Sequence, residues 1–189
     1  LRYYLMRNMV LGQDASYSFE SFKDRYNADL ANDYGNLVNR VLILIYKNFD
    51  QKIPEIGEYN TIDLELISSV KQLPNQVIKY YNELKIHDAI ENIMKIFRIL
   101  NKYLEMKAPW KAIKEDEQGK LSAANTLYIS ADLLKIGSIL INPIIPEKSN
   151  KVLELLGVEL SYDLTIGNLK SGTQISKPDN LFPRIEDAI

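Results

Sequence analysis

The chain has 189 residues, 46% of them apolar, enough for one compact domain burying roughly 70% of the surface of its unfolded form; disorder and a disulfide-stapled mini-protein are excluded. With 23 Lys and Arg against 25 Asp and Glu the net charge is −2, so any contact with nucleic acid or an anionic membrane must be local. The absence of cysteine removes disulfides, thiolate zinc sites and cysteine nucleophiles, and a single histidine leaves little for metal or triad chemistry.

The opening LRYYLMRN carries arginines through its apolar stretch and has no small-residue cleavage site, so it reads as a connector cut from a longer chain rather than a signal peptide. The longest uninterrupted apolar run, residues 41–46, falls far short of the about 20 residues a membrane helix needs, and the chain reads as soluble with no membrane partner. From Phe19, apolar residues at Phe22, Tyr26, Leu30, Tyr34, Leu37, Val41, Leu44, Ile45 and Phe49 paint one face of a long helix, with Ser18 as N-cap and Pro54 beyond its end. A second helical stretch starts near Thr61, with Asp63 in its first turn, and runs through Leu64, Ile67, Val70, Leu73, Val77, Tyr80 and Tyr81, with a kink or break expected at Pro74.

Ile86, Ile90, Ile93, Phe97, Leu100 and Leu104 define a third helix ending before Pro109. A fourth is expected from about Leu121, capped by Ser122, through Leu127, Leu133, Leu134 and Leu140 until Pro143 and Pro146 stop it; a short fifth spans 147–156, with Gly157 as its C-terminal glycine. Beyond Gly157 the helical period disappears. The expected fold is therefore an all-α antiparallel bundle of about five helices with an irregular C-terminal segment packed back on it, divided into a connector (1–16), a bundle (17–157) and a tail (158–189).

Catalytic signatures are missing: there is no G-x-x-x-x-G-K-S/T, no G-x-G-x-x-G after a strand, no H-E-x-x-H and no G-x-S-x-G. His87, at a helix start beside Asp88, reads as an exposed imidazole, and Glu115-Asp116-Glu117 as a solvated turn rather than a cation site, so no catalytic residue and no metal ligand is assigned. Two polar features stand out. Asn36 and Arg40, four apart, project from one side of the long helix, where an amide and a guanidinium could hold a base edge or a phosphate or could be ordinary helix surface. Gly35 beside them costs about 1 kcal/mol in a helix and signals a close approach by another backbone or a ligand. Trp110, the only tryptophan, follows Pro109 at a helix end among Lys107, Lys111 and Lys114; it could be core, or a platform for an unpaired base.

Read together, LRYYLMRNMVLGQDASYSFESF, DLANDYGNLVNR, NKYLEMKAPWK, LINPIIPEKSNKVLELLG and LFPRIE resemble, in order over residues 1 to 186, the segments of the methionyl-tRNA synthetases, a class I aminoacyl-tRNA synthetase family. The resemblance implies an anticodon-binding region in which Asn36 and Arg40 read the first base of a CAU anticodon and Trp110, presented by Pro109, stacks on it. Asn101 is implied as a direct or indirect contact; Lys107, Lys111 and Lys114 are expected on phosphates. The implied partners are methionine tRNA and the catalytic half of the same parent chain, in the cytoplasm. No HIGH-type motif, KMSKS loop or zinc-bearing insert occurs, so this chain is expected to bind neither ATP nor magnesium and not to activate methionine; those cofactors would belong to the catalytic half. The alternative reading is a helical protein-interaction domain with an apolar groove.

Overall fold

A computed structural model describes residues 1–10, 12–14 and 16–186; Leu11 and Ala15 of the expected connector and the tail end 187–189 lie outside the described residues. Helix α1 (Arg2–Asn8) lies against the bundle, followed by α2 (Phe19–Arg25), whose N-terminus is capped as expected, with the Ser18 hydroxyl accepting from the Ser21 N–H at 3.1 Å. The rod continues through a π-helical stretch, Tyr26–Asn36, into α3 (Leu37–Asn48).

The wider winding was not expected, and the spacing does not distinguish it. Phe22, Tyr26, Leu30 and Tyr34 follow one another at four-residue steps. A four-residue step over-rotates an α-helix by about 40° and under-rotates a π-helix, which has wider turns, by about as much, so this spacing is compatible with both windings. Gly35 sits where the stretch is tightest: a Cβ there would lie 3.0 Å from the Leu30 carbonyl oxygen and 3.2 Å from the Phe182 ring. The close neighbours are the carbonyl of the same stretch and a side chain of the C-terminal tail, in place of the second backbone or ligand expected.

Helix α4 (Thr61–Val70) begins with a capping box between Asn60 and Asp63. It ends four residues before Pro74, which lies in the first turn of α5 (Leu73–Asn82). A proline ring collides with the carbonyl four residues back, here Val70, so the break falls at that carbonyl. The expected apolar face of α4 is rotated: Asp63, Leu66 and Val70 are buried while Leu64 is exposed, because Asp63 is drawn inward by partners on α6.

Helix α6 (Ile86–Lys107) and the short α7 (Pro109–Ala112) precede α8 (Glu117–Ile141), which starts earlier than expected. Its cap is Asp116, accepting from the Gly119 N–H at 2.7 Å, and not Ser122. Gly119 makes that start possible, since a Cβ there would lie 2.4 Å from the Ala112 carbonyl oxygen. Helix α8 is long and apolar enough by length and composition to cross a membrane, but it is the buried centre of the bundle, packed by α6, α7 and α9. The Tyr34 and Phe97 rings stack at 4.4 Å beside it, in space left open by Gly137.

Helix α9 (Pro146–Leu155) ends at Gly157, whose φ of +71° closes the expected glycine cap, with Val158 N–H donating to Leu153 and Gly157 N–H to Glu154. The tail has no strand among the described residues beyond an isolated bridge between Lys52 and Gln174. It is fastened at both ends: Ile53 and Thr173 pair backbones, and Asn27 on the π-helical stretch exchanges hydrogen bonds with the Ile185 backbone. Leu169, Ile175, Leu181 and Phe182 are buried, so the tail is part of the core. The all-α bundle with a returning C-terminal segment is as expected.

Candidate functional site

The C-terminal end of α6 is locked from within. Asp63, wholly buried at the start of α4, accepts from the Tyr103 hydroxyl at 2.8 Å and faces the Lys107 ammonium at 3.0 Å. The Tyr103 hydroxyl is pushed well above its usual range, by burial first and then by the neighbouring Asp63 carboxylate. Immediately after this clamp Ala108 turns the chain at φ +41°, a left-handed conformation that costs a non-glycine residue of order 1 kcal/mol. Pro109, buried at the first position of α7, needs no amide partner there and carries Trp110 out of the turn.

The sequence places Arg40 and Trp110 seventy residues apart; the fold stacks them. The Arg40 guanidinium lies 5.1 Å from the centroid of the indole, and its Nη2 pairs with Glu105 Oε1 at 2.8 Å. Trp110 is half-buried, its inner part packed on the core, so it is neither sealed in the bundle nor detached from it. Beside the pair lies an open concavity of about 410 Å³ lined by Asn39, Arg40, Ile43, Leu44 and Trp110. Its floor is apolar because Ile43 and Leu44 stand one turn beyond Asn39 and Arg40 on α3.

Asn36 is exposed one turn before Arg40, its Nδ2 donating to Asn32 Oδ1 at 3.3 Å, and it is not among the lining residues. Asn32 in turn accepts from Arg184 of the tail. The Asn101 amide is spent inward, its Nδ2 donating to the Asp33 carbonyl at 2.9 Å and the Phe97 carbonyl at 3.2 Å, so it ties α6 to the π-helical stretch. The Lys107 side chain, expected on a phosphate, is 6% exposed and pairs with Asp63 at 3.0 Å. Lys111 and Lys114 are exposed.

A chain of charged groups leads away from this face. Arg98 pairs with Glu91 and lies 3.9 Å from Asp33; Glu91 also binds Arg7 of α1, whose Nε lies 3.6 Å from Asp29, and Tyr3 donates to Asp29 at 2.7 Å. Burial pushes the Asp33 carboxyl above the usual range, Arg98 pulls it back, and Asp29 adds to the rise. His87 is also placed differently from expectation: half-buried, its Nδ1 approaches the Arg7 carbonyl at 2.5 Å, pinning the start of α6 to the end of α1. Near it, Leu5, Met6, Met9, Val10, Leu84 and Ile86 border an apolar groove of about 640 Å³.

Sequence reasoning missed Glu105, whose meeting with Arg40 depends on the packing of α6 on the rod. It also missed Asn39, Ile43 and Leu44, for which a signal existed in their helical spacing around Arg40.

Comparison with known proteins gives these residues a context. The family model for the anticodon binding domain of methionyl tRNA ligase matches residues 53–189, and that for the class I (M) tRNA synthetases matches residues 1–42. The methionine–tRNA ligase of Mycobacterium tuberculosis is 35% identical over 98% of this chain, which spans 37% of that ligase. That of Caldanaerobacter subterraneus subsp. tengcongensis is 37% identical over 98% of the chain and 30% of its own length. The crystal structure of the apo M. tuberculosis methionyl-tRNA synthetase superposes with a TM-score of 0.93 at 35% identity, over 99% of this chain and 38% of the synthetase. The chain belongs to the methionyl-tRNA synthetase family and comprises its anticodon-binding domain.

Proposed function

We propose that this chain reads the anticodon of methionine tRNA, and that the cradle of Arg40 and Trp110 beside an open apolar concavity takes the first base of CAU. That concavity is the observation carrying the reading. Proteins read RNA sequence mostly in single-stranded loops, where a base can be splayed out onto an aromatic face. Trp110, held up by Pro109, supplies the face; Arg40, with five N–H donors and no acceptor, supplies donors to the base edge. Asn36, one turn before Arg40 and outside the lining, approaches the base from that side, Asn101 acts indirectly by holding the π-helical stretch to α6, and Lys111 and Lys114 meet phosphates.

The ligase reaction belongs, in this reading, to a catalytic region of a longer cytoplasmic enzyme, which would bind ATP and magnesium. The apolar groove bordered by α1 and the α5–α6 turn is the surface on which that region would pack, which is consistent with residues 1–42 matching the synthetase model. The test is binding of an anticodon stem-loop carrying CAU. Trp110→Ala, folded by circular dichroism, is expected to lose about 1–3 kcal/mol, or about 5- to 150-fold in affinity. Unchanged binding, or equal binding of stem-loops with any anticodon, would refute the reading.

A further inference from the structure

Resting on the anticodon reading above, we propose that Asn39 is a specificity-determining residue, its side-chain oxygen accepting from the exocyclic 4-amino group of the unpaired cytosine. The edge of cytosine presents, side by side, two acceptors (O2 and N3) and one donor, the 4-amino group. Among the residues lining the concavity, Arg40 offers donors only, Trp110 a ring face and a single N–H, and Ile43 and Leu44 nothing polar. A guanidinium fork suits O2 and N3, as it suits any adjacent acceptor pair, and Glu105 engages only one of its nitrogens. The 4-amino donor then requires an acceptor at the rim.

Asn39 is the one lining residue able to provide it. It stands on α3 directly before Arg40, half-exposed, and its carboxamide makes no hydrogen bond to any other group among the described residues. Asn36 is outside the lining and already linked to Asn32, and the Glu105 carboxylate is held by Arg40. Uracil would place O4 against the acceptor and an N–H against the guanidinium, so two adjacent side chains would both report the difference between the two pyrimidines.

The test separates this role from stacking. CAU stem-loops are prepared with cytosine or with pyrimidin-2-one at the first anticodon position; the latter keeps O2 and N3 but lacks the amino group. The unsubstituted chain is expected to prefer cytosine by about 2- to 13-fold, the range for one net hydrogen bond. Asn39→Ala is expected to bring that ratio close to one while still binding the stem-loop and still discriminating against uracil through Arg40. A preference retained in N39A, or no preference in the unsubstituted chain, overturns the assignment. Failure of the anticodon reading itself has a different signature, a Trp110→Ala variant that binds as well as the parent.

Discussion

The Asp63 clamp makes a strong quantitative claim, because it converts a residue expected to touch RNA into one that holds the fold. Asp63 is fully buried and receives the Tyr103 hydroxyl at 2.8 Å, the Lys107 ammonium at 3.0 Å and the Asn60 N–H at 3.1 Å. Asp63→Ala would leave an ammonium group only 6% exposed, a phenolic hydroxyl and a helix-cap amide without their acceptor. Stranding a buried charge costs about 3–5 kcal/mol, a large share of the about 5–15 kcal/mol that a domain holds. Lys107→Met should cost less, since Asp63 keeps two donors and the methylene stem of residue 107 stays packed. The pair D63L/K107M should recover most of the D63A loss, because replacing a buried ion pair with apolar groups is often neutral. Urea denaturation followed by circular dichroism gives the stabilities, and the fluorescence of Trp110, three residues from Lys107, reports the local geometry. Were Lys107 a phosphate ligand instead, K107M would leave stability unchanged and reduce the salt dependence of stem-loop binding. A D63A loss below about 1 kcal/mol would refute the closed clamp.

Three further outcomes follow from the geometry. Gly157→Ala meets both a φ of +71° and a Gln174 carbonyl oxygen 2.2 Å from the new Cβ, so a loss of at least about 2 kcal/mol is expected in denaturant titration, with the tail released first. Burial raises the hydroxyls of Tyr3, Tyr34, Tyr81 and Tyr103 above their usual range, and that of Tyr128 to about 12. In the unfolded chain these groups ionise near 10, so their stabilising contribution is complete below that pH. It is lost as pH rises, for Tyr128 through about 12; the tyrosinate absorbance of these five side chains should therefore appear together with alkaline unfolding rather than before it. Replacing Lys111 and Lys114 together by alanine should flatten the salt dependence of stem-loop affinity by about 1.4 in slope, at about 0.7 per phosphate contact, without changing which anticodon is preferred.

The local grammar of this chain was legible before any coordinates. Ser18, Pro74, Pro109 and Gly157 act on backbone within a turn of themselves, through a hydroxyl acceptor, a missing N–H or freedom at positive φ, so their effects can be read from neighbours alone. The apolar period of α6 and the tail's lack of one gave the class of fold for the same reason. The π-helical stretch was not legible, because steps of four residues from Phe22 to Tyr34 lie midway between the α and π periods.

What lay beyond the sequence were meetings between side chains far apart along it. Whether Lys107 faces solvent or Asp63 depends on how α4 rests on α6, and whether Asn36 or Asn39 borders the concavity depends on the direction from which α7 brings Trp110 to α3. A charged side chain pays for burial only if a partner arrives from elsewhere, and spacing carries no information about that arrival. Local propensities are short-ranged and could be read in one dimension; the orientation of the cradle is a property of packed helices, and only the tertiary structure decided it.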